Sequence, residues 1–218
     1  EKKKKKVKRV KTVKNMTNPI HEEHHDHLGS KMGMWLFIFT ELFLFGGLFL
    51  VYAIFRSKYG EDFHHAAEEL NVFIGTMNTV VLLISSMTVA MSISAIQKGD
   101  SGRAIRLILL TIFLALVFMV NKYFEWGHKF EFKLYPGSPV LGNLPKGELL
   151  FFGLYFMMTG LHALHVIIGC VLLGVTIPKI SKKQVTSERF TFLENAGLYW
   201  HLVDFIWIFL FPMMYLIT

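Results

Sequence analysis

Few side chains in this sequence of 218 residues could do chemistry, and most of those stand where a polar group is costly. Glu41 is the only charge between Gly33 and Phe55. A lone carboxylate in an apolar run that long turns towards protein or water, not hydrocarbon. His162 and His165 are three residues apart inside a second apolar run, so they share a helix face. His201 and Asp204 repeat that spacing in a third run, and Trp200, Asp204 and Trp207 follow the i, i+4, i+7 rule. Arg106 and Glu125 lie nearer the ends of their own segment. Glu41 is eight residues into its run, roughly 12 Å deep, and Asp204 is nine into its own, roughly 13 Å. Glu41, His201 and Asp204 are therefore expected in one layer. Such a layer serves either as a proton site or as a set of buried interhelical hydrogen bonds. The paired histidines also invite a haem. They project from one side of one helix, so a bis-histidine site needs one of them plus His201 or a residue of another chain. No Cys-x-x-Cys-His attachment motif is present, and none of His162, His165 and His201 stands in the Glu-x-x-His pair that a di-metal carboxylate site needs.

The elements that must position these groups are long apolar segments, at about 33–55, 72–96, 104–124, 149–177 and 195–217. The first, 23 residues, spans roughly 34 Å as a helix, enough for a hydrocarbon core of about 30 Å. The expected fold is all-α: an integral membrane bundle of five transmembrane helices over 33–218, preceded by a tail over 1–32. Pro136, Gly137, Pro139, Gly142, Asn143 and Pro145 mark turns in the third connection. Pro178 is expected to end the fourth helix, and Pro212 stands late in the fifth, where a proline kinks a helix. Ser86, Ala90 and Ser94 recur every four residues, and Gly153 and Gly160 are seven apart. Both sets are expected to line close helix contacts.

With 53% apolar and 15% aromatic residues, the chain is neither disordered nor an ordinary soluble domain. The net charge of +7 is concentrated: residues 1–14 hold nine basic residues and one acid. A nucleic-acid-binding protein would spread basic residues over a folded face, so no nucleic-acid partner is expected. The tail lysines suit anionic lipid headgroups. His21, His24, His25 and His27 could hold zinc or copper, but with no fixed frame the simpler reading is a solvated tail. Cys170, the single cysteine, reads as a small core residue. No signal-peptide pattern precedes the body, so the first span is expected to be retained. Basic flanking residues place the N-terminus in the cytoplasm and the C-terminus outside. Without the tail the margin is narrow: seven basic residues on inner connections against six on outer ones, Lys122 and Lys129 among the six.

Five stretches together resemble subunit III of the haem–copper terminal oxidases, of the cytochrome c oxidase type. They are Gly33–Phe37 with Thr40–Gly47, Met77–Leu83, Lys122–Glu125, Thr159–Gly169 and Tyr199–Trp207, one per helix and in family order. Gly-x-His-x-x-His-Val-x-x-Gly and Tyr-Trp-His-x-Val-Asp-x-x-Trp are the specific patterns. The resemblance implies a subunit with no redox centre of its own, beside a catalytic subunit I that carries haem and copper, with subunit II, in a respiratory chain or a larger supercomplex. It implies bound phospholipid and support of proton uptake and of the catalytic subunit's durability. The family's intramembrane glutamate matches Glu41, its paired histidines match His162 and His165, and its fifth-helix pair matches His201 and Asp204. Glu125 lies in a matching stretch. Many members have seven helices; this chain resembles the last five, a form known among bacterial oxidases, which points to a bacterial inner membrane. One wall of the family's lipid cleft must then come from a partner or stay open to the bilayer. Two other readings are a quinol oxidase of the same superfamily and an independent b-type cytochrome or proton transporter.

Overall fold

The computed structural model describes the backbone of residues 20–216 and the side chains from Leu28 onwards. The side chains of the His21–His27 cluster and the whole basic run of residues 1–14 lie outside the described residues. Seven helices are described: α1 (Ile20–Lys58), α2 (Gly60–Glu68), α3 (Val72–Gln97), α4 (Ser101–Glu131), α5 (Pro139–Gly142), α6 (Lys146–Ser181) and α7 (Thr191–Tyr215). α1, α3, α4, α6 and α7 are the five long and apolar enough to cross a membrane. Two compact units divide the chain, one ending at Phe37 and one running from Ile38 onwards. In the first, the described part is the opening stretch of α1, so helix begins well ahead of residue 33.

From Ile38 the helices pack around α7, which buries residues on most of its faces. α3 packs against α4 and α7, and α6 against α4 and α7. The α3–α4 hairpin is tight because Gly99 takes φ +79, a left-handed conformation that costs glycine nothing. Asp100 then caps α4 by accepting from Arg103 N at 2.9 Å. Asn71 does the same for α3, accepting from Ile74 N at 3.1 Å.

α2 lies between the first two apolar runs, and its position explains why it folds. Phe63, Ala66 and Ala67 are buried, and α2 packs on α6 and α7. Phe63 meets Tyr52 and Phe151 edge-on, at 5.4 and 5.5 Å between ring centres. Asp62 accepts from Gly147 N at 3.0 Å, which ties α2 to the first turn of α6, where a Cβ at Gly147 would collide with Asp62. Pro178 does not end α6, which continues to Ser181. So near a terminus, the missing N–H costs only one ladder bond.

The close contacts also differ from those expected. Ala90 and Ser94 are exposed and Ser86 is half-buried. The buried line of α3 is Asn78, Leu82, Ser85, Thr88, Val89, Ser92 and Ala95. A strict i+4 row drifts round a helix of 3.6 residues per turn, whereas alternating steps of three and four stay on one face. Gly153 has nothing near its missing Cβ. The glycines that admit a neighbour are Gly75, Gly169 and Gly197, against Phe211, Trp200 and Ile93.

Beyond Phe37, α1 joins the bundle along one seam. Ile38, Phe45 and Tyr52 are its buried residues there, seven apart each time. The Tyr52 hydroxyl donates to the Met213 carbonyl in the last turn of α7. That carbonyl has no partner within its helix, so the bond both caps α7 and pins α1. Tyr52→Phe is expected to lower stability by about 1 kcal/mol, read as a shift in the thermal unfolding midpoint in detergent.

Candidate functional site

The polar groups of the spans form three separate sites. In the first, Glu41 of α1 meets His165 of α6, with Oε2 3.0 Å from Nε2. Both residues lie near the middle of their helices, and their side chains are 14% and 8% exposed, so the pair is nearly enclosed. His165 Nδ1 lies 2.8 Å from the Leu161 carbonyl, and the Tyr199 hydroxyl donates to the His165 carbonyl at 3.2 Å. A carbonyl only accepts, so Nδ1 carries a hydrogen. The contact at Nε2 then holds one proton between imidazole and carboxyl, whichever of the two carries it. Phe45 and Tyr199 flank the ring at 5.3 and 6.4 Å.

Glu41 therefore meets His165, and the layer expected with His201 and Asp204 divides. His201 Nδ1 lies 2.6 Å from the Ser86 hydroxyl of α3. Ser86 also interacts with the Asp204 carboxyl, which is buried, with its Oδ1 unpartnered. Trp200 donates to Ser85 at 3.1 Å and Trp207 to Thr79 at 3.0 Å, so the tryptophans beside Asp204 fasten α7 to α3.

His162 and His165 also part company. His162 is fully buried between the rings of Phe118, at 5.7 Å, and Trp207, at 5.2 Å. Neither of its ring nitrogens has a hydrogen-bond partner. Among the described residues no group of three or more His, Cys, Asp or Glu is placed to hold a metal ion.

The third site escaped sequence reasoning except for Glu125. Lys122 is 2% exposed, and its ammonium donates to Glu125 Oε2 at 3.2 Å, to the Tyr155 hydroxyl at 3.2 Å and to the Tyr215 hydroxyl at 2.8 Å. Both tyrosine hydroxyls donate in turn to Glu125 Oε1. Three ammonium hydrogens thus meet three acceptors, and both carboxylate oxygens are used. The Lys122 ammonium also lies 5.3 Å from the Trp207 ring. A half-open groove of about 700 Å³ reaches this cluster at Glu125, with Glu69, Tyr123 and Lys129 on its walls. The available signal was the spacing of Lys122, Glu125 and Lys129, three and then four apart on one face of α4. All three are buried, and Lys122 and Lys129 lie within α4 and not in the connection that follows it.

Contacts of Glu41 with His165, of Thr79 with Trp207, and of Lys122 and Glu125 with Tyr155 and Tyr215 thus link motif residues of all five spans. The family model for cytochrome c oxidase subunit III matches residues 11–218. The chain belongs to the cytochrome c oxidase subunit III family. Cytochrome c oxidase subunit 3 of the tick Rhipicephalus sanguineus is 33% identical over 195 residues, which cover 86% of this chain and 70% of that protein. Those of Corynebacterium diphtheriae and Thermostichus vulcanus are 32% and 31% identical, each with 86% of this chain and 87% of the relative covered. Such relatives come from animals and bacteria alike. Membership makes this chain a multi-pass membrane subunit of a haem–copper oxidase, working in a complex with other oxidase subunits.

Proposed function

We propose that this subunit braces the catalytic subunit I of a respiratory haem–copper oxidase and supports proton uptake on its behalf, carrying no redox centre itself. The observation that carries the reading is the Glu41–His165 pair. It is a nearly enclosed carboxyl and imidazole in mid-membrane, holding one proton between them. Such groups are rare in spans and mark proton paths or partner contacts. The packing disfavours a b-type cytochrome. Both His165 nitrogens are engaged, and His162 lies between two aromatic rings.

The partners on this reading are subunits I and II, with phospholipid held beside α1, where one seam leaves most of the helix surface uncovered. The N-terminus faces the cytoplasm, and the membrane is the inner membrane of a bacterium. The excess of basic residues ahead of the first span and on the inner connections supports that orientation. Cytochrome c, rather than quinol, is the donor suggested by the names of the relatives.

Two measurements test this. Mild detergent extraction should bring this chain down with chains that bear haem and copper; isolation as a single species would end the reading. Glu41→Gln keeps the size and hydrogen bonding of the side chain, so assembly should persist. Turnover of the complex is expected to start at the wild-type rate and decay faster under sustained use. An unchanged lifetime would reduce Glu41 to a packing residue.

A further inference from the structure

We infer that the outward face shared by α3 and α7, centred on Ser86 and His201, is where another oxidase subunit docks a transmembrane helix bearing a hydrogen-bonding side chain. The inference rests on the oxidase-subunit reading above and assigns that contact to one face of the bundle.

The outward faces differ in what they offer a lipid tail. α4 presents Leu109, Phe113, Leu116 and Val120, all exposed and all apolar. α6 presents Met157, Leu164, Ile167 and Val171. Acyl chains satisfy such surfaces fully. Glu41 is nearly enclosed, and His165 answers it within the chain. The α3–α7 face differs. Ser86 stands close to the middle of Val72–Gln97, and His201 close to the middle of Thr191–Tyr215. Both are half-exposed. They are held together by the 2.6 Å contact between the hydroxyl and Nδ1. An imidazole has a second ring nitrogen, and no hydrogen bond among the described residues takes it. A polar group turned towards hydrocarbon without a partner is costly, because no water is there to replace one.

The surroundings fit a helix rather than a lipid headgroup. Leu83 and Met87 on α3, with Phe205 and Ile208 on α7, are exposed and frame the polar pair. Ala90 is exposed one turn along α3 and leaves room for close approach. The docked surface is therefore apolar with one hydrogen-bond position at mid-depth. A headgroup would have to descend half the bilayer to reach it. The fitting side chain is neutral: a hydroxyl, amide or indole that donates to the free imidazole nitrogen or accepts from it. A cation is unsuited, because a charge brought to mid-depth in hydrocarbon is costly without a counter-charge.

The test uses the intact complex in its membrane. A photo-crosslinking amino acid in place of Met87, which is 63% exposed, reports on the proposed face. The same group in place of Phe113, 60% exposed on α4, reports on a lipid-facing one. The expected result is an adduct with another oxidase subunit from position 87 and lipid adducts alone from position 113. A subunit adduct from 113 with lipid alone from 87 would overturn the face assignment and leave the oxidase reading standing. Lipid alone from both positions, with the chain purifying by itself, would sink the two together. His201→Leu adds a second readout. More of this chain should be lost on detergent extraction than from wild type, while its own helical content is kept; equal retention counts against the face.

Discussion

Lys122→Met is expected to destabilise the folded subunit by about 3–5 kcal/mol, the cost of removing one partner from a buried ion pair. The change takes all three donors from one closed network. Glu125 keeps both tyrosine hydroxyls on Oε1 and loses its only partner on Oε2. Tyr155 and Tyr215 lose the ammonium that both accept from. A carboxylate is left 6% exposed with half its capacity unused. Neutralising it as well should recover part of the loss, so Lys122→Met with Glu125→Gln should cost less than the sum of the single changes. Thermal unfolding in detergent, followed by circular dichroism, measures all three variants. Strictly additive losses would show that lysine and glutamate do not stabilise each other.

Gly169→Ala is the second large effect, with a loss of about 1–3 kcal/mol from overpacking. A Cβ at Gly169 would lie 2.8 Å from the Trp200 ring and 3.3 Å from Tyr199. Neither ring can retreat easily. Trp200 is buried and donates to Ser85, and the Tyr199 hydroxyl donates to the His165 carbonyl. The disturbance therefore reaches the Glu41–His165 pair along α6. Gly153→Ala is the matched control in the same helix. Nothing lies within 4 Å of its added Cβ, so the better helix propensity of alanine should leave stability equal or slightly higher. Similar losses at both positions would refute the packing argument.

The five spans were legible because each is an unbroken apolar run longer than a bilayer requires. α2 was not. It is nine residues long and carries Glu61, Asp62, His64, His65 and Glu68, so its single buried stripe of Phe63, Ala66 and Ala67 is easily mistaken for chance. Glu41, His165, His201 and Asp204 could be picked out singly, since a polar residue in an apolar run is conspicuous. Their partners could not. Depth along a helix does not give rotation about its axis, and rotation decides whether Glu41 meets His165 or Asp204. Lys122 and Lys129 were misread for a related reason. Near the end of an apolar run, a lysine that reaches for water and one that is buried on a carboxylate look the same in sequence.

Glu41 and His165 are 124 positions apart, and that separation has a temporal side. A ribosome adding about 5–20 residues per second needs roughly 6–25 s to travel from one to the other. Throughout that interval the newborn α1 holds an acid whose imidazole has not yet been made. The acid must wait near the headgroups or in the care of the insertion machinery. Slowing elongation between the two codons would lengthen the wait, and quality-control proteases would have their best opportunity then.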